Sequence, residues 1–87
     1  MEKIAKALGD INRLKIVEDM CRLGGTIQCS QIMELTELAQ PSISHHIKTL
    51  IEAGLIDSEK EGRSHKYILN KSLLKDYVKS ITLFATN

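Results

Sequence analysis

This sequence predicts a mainly α-helical fold with one small β-hairpin, and three observations predict it. Residues 38–53 place Ile43, Ile47, Leu50 and Ile51 at helical spacing, with Pro41 near the start and Gly54 just past the end. A shorter helical pattern over 31–35 precedes that stretch across the turn Thr36-Glu37. Residues 55–60 and 65–69 then read as two short strands joined by Glu61-Gly62-Arg63-Ser64. Two helices joined by a turn of about 3–4 residues form a helix-turn-helix, and a hairpin directly after it is a wing.

Taken in order, Glu2–Leu8 is a short helix (α1) with Ile4, Ala7 and Leu8 on one side, ended by Gly9. Asp10 is placed to cap a second helix over 11–23 (α2). Its expected apolar line is Ile11, Leu14, Val17 and Cys21, widened by Ile16 and Met20, and Gly24-Gly25 ends it. Residues 26–29 are short and extended (β1). Ser30 is a suitable cap for 31–35 (α3), with Ile32 and Leu35 facing inward. The 38–53 helix (α4) follows, then the strands β2 and β3 of the hairpin. Asn70 or Ser72 caps a last helix within 71–86 (α5), where Leu73, Leu74, Tyr77, Val78, Ile81 and Phe84 recur at helical spacing. The expected order is α1-α2-(β1)-α3-α4-β2-β3-α5, a winged helix-turn-helix.

Eighty-seven residues, 43% of them hydrophobic and 26% charged, fit one ordinary globular domain spanning 1–87. A chain this short buries a limited fraction of its surface, so the apolar stripe of α5 asks for a further interface. No apolar run approaches the roughly 18 residues of a membrane span, and residues 1–10 lack a signal-peptide core. A cytoplasmic protein is expected, with no membrane partner and with Cys21 and Cys29 reduced. Paired carboxylates, a nucleophile–base constellation and a phosphate loop are absent, which argues against an enzyme and for no cofactor.

Net charge is only +1, so any nucleic-acid surface must be local. Residues 60–66 hold Lys60, Arg63, His65 and Lys66 against Glu61, and all three histidines lie between positions 45 and 65. On α4, the face opposite the apolar stripe carries Gln40, Ser42, Ser44, His45 and Lys48. Read from pattern alone, this face is either a solvated surface or a reading surface for DNA. In the second reading Gln40 pairs with a base, since an amide can bond adenine bidentately. Ser42 and Ser44 bond bases or phosphates, and Lys48 and Arg63 hold the backbone. His46, beside Ile43 and Ile47, reads as a partly buried structural residue. Adjacent His45 and His46 point about 100° apart on a helix and do not share a metal ion. Cys21 reads as a small core hydrophobe. Cys29, at a helix start, could instead serve a redox- or persulfide-sensing role, alone or with Cys21.

These motifs carry a resemblance. Residues 7–17, Ala-Leu-Gly-Asp-Ile-Asn-Arg-Leu-Lys-Ile-Val, resemble the opening motif of the ArsR/SmtB family of bacterial winged-helix repressors. Residues 40–50, Gln-Pro-Ser-Ile-Ser-His-His-Ile-Lys-Thr-Leu, resemble that family's recognition helix. Residues 52–56 and Glu61-Gly62-Arg63 resemble its entry to the wing and the wing itself. The likeness spans about residues 4 to 70 in one register with the elements above.

The resemblance implies a homodimer through α1 and α5, an inverted-repeat operator in double-stranded DNA, and release by an inducer. It therefore assigns DNA contact to Gln40, Ser42, Ser44, His45, Lys48, Arg63 and His65. The dimer seam falls to residues 1–8 and 71–86, through Ile4, Leu8, Leu73, Leu74, Tyr77, Val78, Ile81 and Phe84. The chain departs from the family where Gln28-Cys29-Ser30 replaces a Cys-x-Cys metal pair, and where α5 offers Asp76 but neither His nor Glu. No metal is expected, and any switch is expected to run through thiol chemistry or a small inducer. The expected function is a dimeric, sequence-specific repressor. The alternative is a winged-helix protein-interaction module, whose DNA retention would show little salt dependence.

Overall fold

The computed structural model describes residues 2–85. Residues 1 and 86, the outer ends of the two expected dimerisation segments, lie outside the described residues. The elements are α1 Glu2–Leu8, α2 Ile11–Arg22, β1 Thr26–Gln28, α3 Cys29–Leu35, α4 Gln40–Glu52, β2 Ile56–Glu61, β3 Ser64–Leu69 and α5 Lys71–Ala85. They form a winged helix-turn-helix with a three-stranded sheet.

Asp10 starts α2 as its sequence position implies. Its backbone is extended, and Oδ1 accepts the N–H groups of Asn12 at 2.8 Å and Arg13 at 3.3 Å. These are two of the four donors a helix start leaves unpaired. The core face of α2 differs from the expected line. Ile16, Val17 and Met20 are buried, whereas Ile11 is 81% exposed and Leu14 and Cys21 face outward. Each helical residue advances about 100°, so the buried stripe is rotated by roughly a quarter turn from the expected one. Leu14 and Cys21 instead line an open groove of about 800 Å³ whose other walls include Leu8, Leu74, Tyr77 and Val78. Asp19 is buried as well, and Arg22, one turn on, is the only polar partner of its carboxylate among the described residues.

The start of α3 also differs. Ser30 does not cap it. Gln28 is extended, and its N–H donates to Oε1 of Gln31 at 2.8 Å, so the helix begins at Cys29 where the strand pairing stops. Ile32 is buried, but Leu35 is 40% exposed. Ala39 is still extended, so α4 begins at Gln40, with Pro41 in its first turn. Ile43, Ile47 and Leu50 bury the stripe of α4; Ile51 stays at the surface. Gly54 ends the element with φ 81°, a conformation that favours glycine.

β3 is the central strand, in the order β1-β3-β2, with both pairings antiparallel. The β2–β3 register runs from Ile56 opposite Leu69 to Glu61 opposite Ser64. That leaves Gly62-Arg63 as a two-residue turn, with Gly62 at φ 61° in its first position. Ile27 of β1, Ile56 of β2 and Leu69 of β3 close one core with Ile4 and Ala7 of α1, the three residues of α2, Ile32 and the α4 stripe.

Asn70, not Ser72, caps α5, its Oδ1 accepting the N–H of Leu73 at 3.1 Å. Leu73, Leu74 and Tyr77 are half-buried against the core, and none of the described α5 residues is fully buried. Val78, Ile81 and Phe84 are 54%, 45% and 72% exposed. Of the α1 residues expected at a dimer seam, Leu8 borders the groove, whereas Ile4 is 6% exposed and belongs to the subunit's own core. No helix among the described residues is long and apolar enough to cross a membrane.

Candidate nucleic-acid interface

The candidate interface is α4, which is held along one side by the core. Burial of Ile43, His46, Ile47 and Leu50 fixes which way the helix faces. Gln40, Ser42, Ser44, His45 and Lys48 are consequently all exposed on the other side. The side chains of Gln40, Ser42, Ser44 and Lys48 make no hydrogen bond within the described residues, so their donors and acceptors are free to meet a partner. A helix presenting several short polar groups in this way suits the width of a DNA major groove.

The wing stands beside it. Beyond Ile56 every residue of β2 is exposed, so the hairpin projects from the body. Ser64 Oγ donates to the carbonyl of Glu61 at 3.0 Å, and Lys66 pairs with Glu61 at 3.2 Å, which stiffens the tip. Arg63 is exposed at the turn itself and forms no ion pair among the described residues. The rings of His65 and Tyr67 lie nearly parallel, 9° apart in plane, with centroids 6.5 Å apart.

His46 is buried, as its place beside Ile43 and Ile47 implies, and touches Arg13 of α2 at 3.2 Å. Reading the sequence for chemistry overlooks Arg13, although one signal points to it. A cation in the first turn of a helix opposes the helix dipole, so some other contact must hold it there.

The two cysteines lie on separate elements. Cys21 is exposed on α2, and Cys29 is half-buried at the first residue of α3. Burial, and secondarily the negative charge a Cys29 thiolate would carry, raise the Tyr67 phenol above 10.0. Among the described residues no group of three His, Cys, Asp or Glu side chains is arranged to hold a metal ion.

A helix exposed along one polar face, with a basic-tipped hairpin at its side, is the arrangement of the winged-helix class of DNA-binding folds. Comparison with known proteins narrows the class. Residues 10–58 match the family described as "Bacterial regulatory protein, arsR family". The chain is 32% identical over its whole length to the arsenical resistance operon repressor of Staphylococcus aureus, 82% of which is covered. It is 35% identical to the transcriptional repressor SdpR of Bacillus subtilis (strain 168), over 90% of this chain and 84% of that one. An ArsR-like transcriptional regulator from Rhodococcus sp. RHA1 shares the fold with a TM-score of 0.81 at 21% identity, covering 98% of this chain and 78% of that one. The chain belongs to the arsR family, whose members are DNA-binding transcriptional regulators and not enzymes.

Proposed function

We propose that this protein is a homodimeric, sequence-specific transcriptional repressor that binds an inverted-repeat operator and is released by chemistry at a thiol. The observation that carries the reading is the α4 face of Gln40, Ser42, Ser44, His45 and Lys48, all exposed, with side chains that make no hydrogen bond among the described residues. Two such helices related by a two-fold axis would enter successive major grooves, with half-sites one helical turn or a multiple of it apart. The half-exposed stripe of α5 and the groove beside Leu8 supply the apolar surface that a second subunit would cover. Anisotropy titrations with the protein's own upstream duplex and a scrambled duplex, over a salt series, test this. Preference for the native duplex and steep loss of affinity with salt are expected. Equal binding, or retention insensitive to salt, would favour a protein-interaction module instead.

The switch is assigned to Cys29 rather than to a metal. This residue opens α3, the element directly upstream of α4, immediately after Gln28, which pairs with Lys66 of the central strand. Attack of the thiolate on peroxide would form a sulfenate and release water, placing a polar group where the strand and α3 meet. Peroxide should release wild-type protein from DNA but not a Cys29→Ser variant. Release by micromolar zinc or cadmium, or an undiminished peroxide response in Cys29→Ser, would overturn the assignment.

A further inference from the structure

Arg13 makes more polar contacts than any other side chain described. Its Nε donates to the carbonyl oxygen of Ala7 at 2.7 Å, and Nη2 donates to that of Lys6 at 3.2 Å. Both oxygens belong to the last turn of α1, where carbonyls lack partners within the helix and carry partial negative charge. The third contact runs from Nη1 to Nδ1 of His46 on α4, at 3.2 Å. A guanidinium only donates, so Nδ1 must accept, and the ring proton must sit on Nε2. One side chain rooted in α2 thus holds the end of α1 and the buried side of the reading helix.

We propose that Arg13 is a positioning residue for DNA recognition, clamping α1 to His46 of α4 and doing so only while Nδ1 of His46 carries no proton. The proposal rests on the DNA-binding reading above and adds the device that sets the angle of α4. A proton on Nδ1 would turn N–H against N–H and set two cations against each other at a residue that is only 8% exposed. The charged and titratable groups around it are few. Arg13 faces it from α2 and Asp10 from the cap before that helix, and Asp10 is already engaged by the N–H groups of Asn12 and Arg13. His45 is its neighbour on α4, with ring centroids 5.7 Å apart. α1 offers backbone carbonyls, while its Lys6 ammonium pairs outward with Glu2. Glu34 of α3 and Asp57, Glu59, Lys60 and Glu61 of β2 are exposed.

The test compares wild type with His46→Asn and Arg13→Met. An Asn oxygen can accept where Nδ1 does but does not titrate. Affinity for the upstream duplex is measured from pH 8 to pH 5.5. His45 and His65 are common to wild type and His46→Asn, so their protonation cancels in the ratio of the two affinities. That ratio should fall by about tenfold on acidification, the size of effect expected when one charge-assisted hydrogen bond is lost. Arg13→Met should bind about tenfold more weakly at pH 8, with its subunit count by light scattering unchanged. A pH-independent ratio, or wild-type affinity in Arg13→Met, would overturn the proposal. If Arg13→Met does not fold, the ratio still decides, together with the ring ¹⁵N shifts of wild type. Those shifts should report an unprotonated Nδ1 at pH 7.5, and a proton there overturns the clamp. Failure of wild type to prefer its own duplex at any pH would instead remove the DNA-binding reading itself.

Discussion

The carbonyl oxygen of Gly24 accepts a hydrogen bond from the Lys71 ammonium at 3.0 Å, tying the end of α2 to the start of α5. Gly25, the next residue, completes the junction. Its N–H donates to Met20 O at 2.7 Å and its carbonyl accepts from Leu69 N–H at 2.8 Å, so its backbone cannot shift freely. It holds φ 104°, and a Cβ there would stand 2.6 Å from Cε of Lys71. The lysine end can swing aside, but the backbone conformation remains unsuited to any L side chain. Gly25→Ala should therefore cost about 1–3 kcal/mol of stability, read from urea unfolding. Adding Lys71→Ala should recover little of it. Full recovery in the double variant would show that the contact, not the dihedral, sets the cost.

Asp10 supplies a pH-dependent prediction. Its carboxyl is held below 3.8, chiefly by the hydrogen bond from the Asn12 N–H, with help from the Arg13 N–H and the charges of His46 and Arg13, against a smaller opposing effect of burial. A carboxyl whose folded value is depressed binds its proton more readily in the unfolded chain. Its contribution is thus complete above about 3.8 and is lost as pH falls through the lower folded value. Asp10→Ala should lower the melting temperature at pH 7, and the gap to wild type should narrow at acid pH. Asp10→Asn, which still caps, should keep most of the neutral-pH stability and lose the acid-side dependence. Parallel melting curves for Asp10→Ala and wild type down to pH 2 would contradict this.

Both residues belong to the part of the molecule the sequence makes legible: the places where one residue type is nearly obligatory. Asp10 at a helix start, Pro41 in a first turn, and Gly54 and Gly62 at positive φ announce their elements by chemistry local to each. Three of the four residues of the α4 stripe, Ile43, Ile47 and Leu50, meet the core because the opposite side is wholly polar; Ile51, at the stripe's edge, does not. The α2 stripe does not, because Ile11, Leu14 and Cys21 extend apolar character past the core onto the groove side. Periodicity locates a helix but cannot say which part of a broad stripe meets the core. The start of α3 misleads for a related reason. Ser30 is the better cap by type, yet strand pairing of Gln28 with Lys66 and the reach of Gln31 fix the boundary earlier. The Arg13–His46 contact joins positions 33 residues apart, and no local pattern encodes it.

The groove side of the molecule leads to a test of assembly. Ile81 and Phe84 are 45% and 72% exposed, so a charge there disturbs no core of the single subunit. In a dimer sealed by α5 those side chains would be covered, each stabilising the assembly by roughly 1.5–3 kcal/mol. Ile81→Glu should therefore give a folded monomer, with unchanged helicity by circular dichroism and half the wild-type mass by light scattering. Leu74→Glu should do more damage, since Leu74 also packs on the subunit's own core. Wild-type protein that is monomeric at micromolar concentration would remove the α5 seam.

Specificity and affinity should separate between α4 and the wing. Gln40 is the first residue of α4, exposed, with an amide able to give and take a hydrogen bond at one adenine edge. A lost bidentate pair costs about 1–3 kcal/mol of discrimination against the wrong base. Gln40→Ala should thus weaken binding to the native duplex while leaving binding to a scrambled duplex nearly unchanged. Arg63 differs in placement and in chemistry. It sits at the tip of a projecting two-residue turn, held by the Ser64 contact to Glu61, and carries charge without a bonding pattern directed at one base. A guanidinium there neutralises phosphate and releases counterions whatever the sequence. Arg63→Ala should weaken native and scrambled duplexes by the same factor, and should flatten the plot of log affinity against log salt by about one unit per contact. The chain's 12 Lys and Arg are nearly balanced by 11 Asp and Glu, leaving a net charge of only +1, so loss of one phosphate contact should be visible in the slope at moderate salt. A Gln40→Ala loss equal on both duplexes, or an unchanged salt slope in Arg63→Ala, would mean that α4 and the wing do not divide the work in this way.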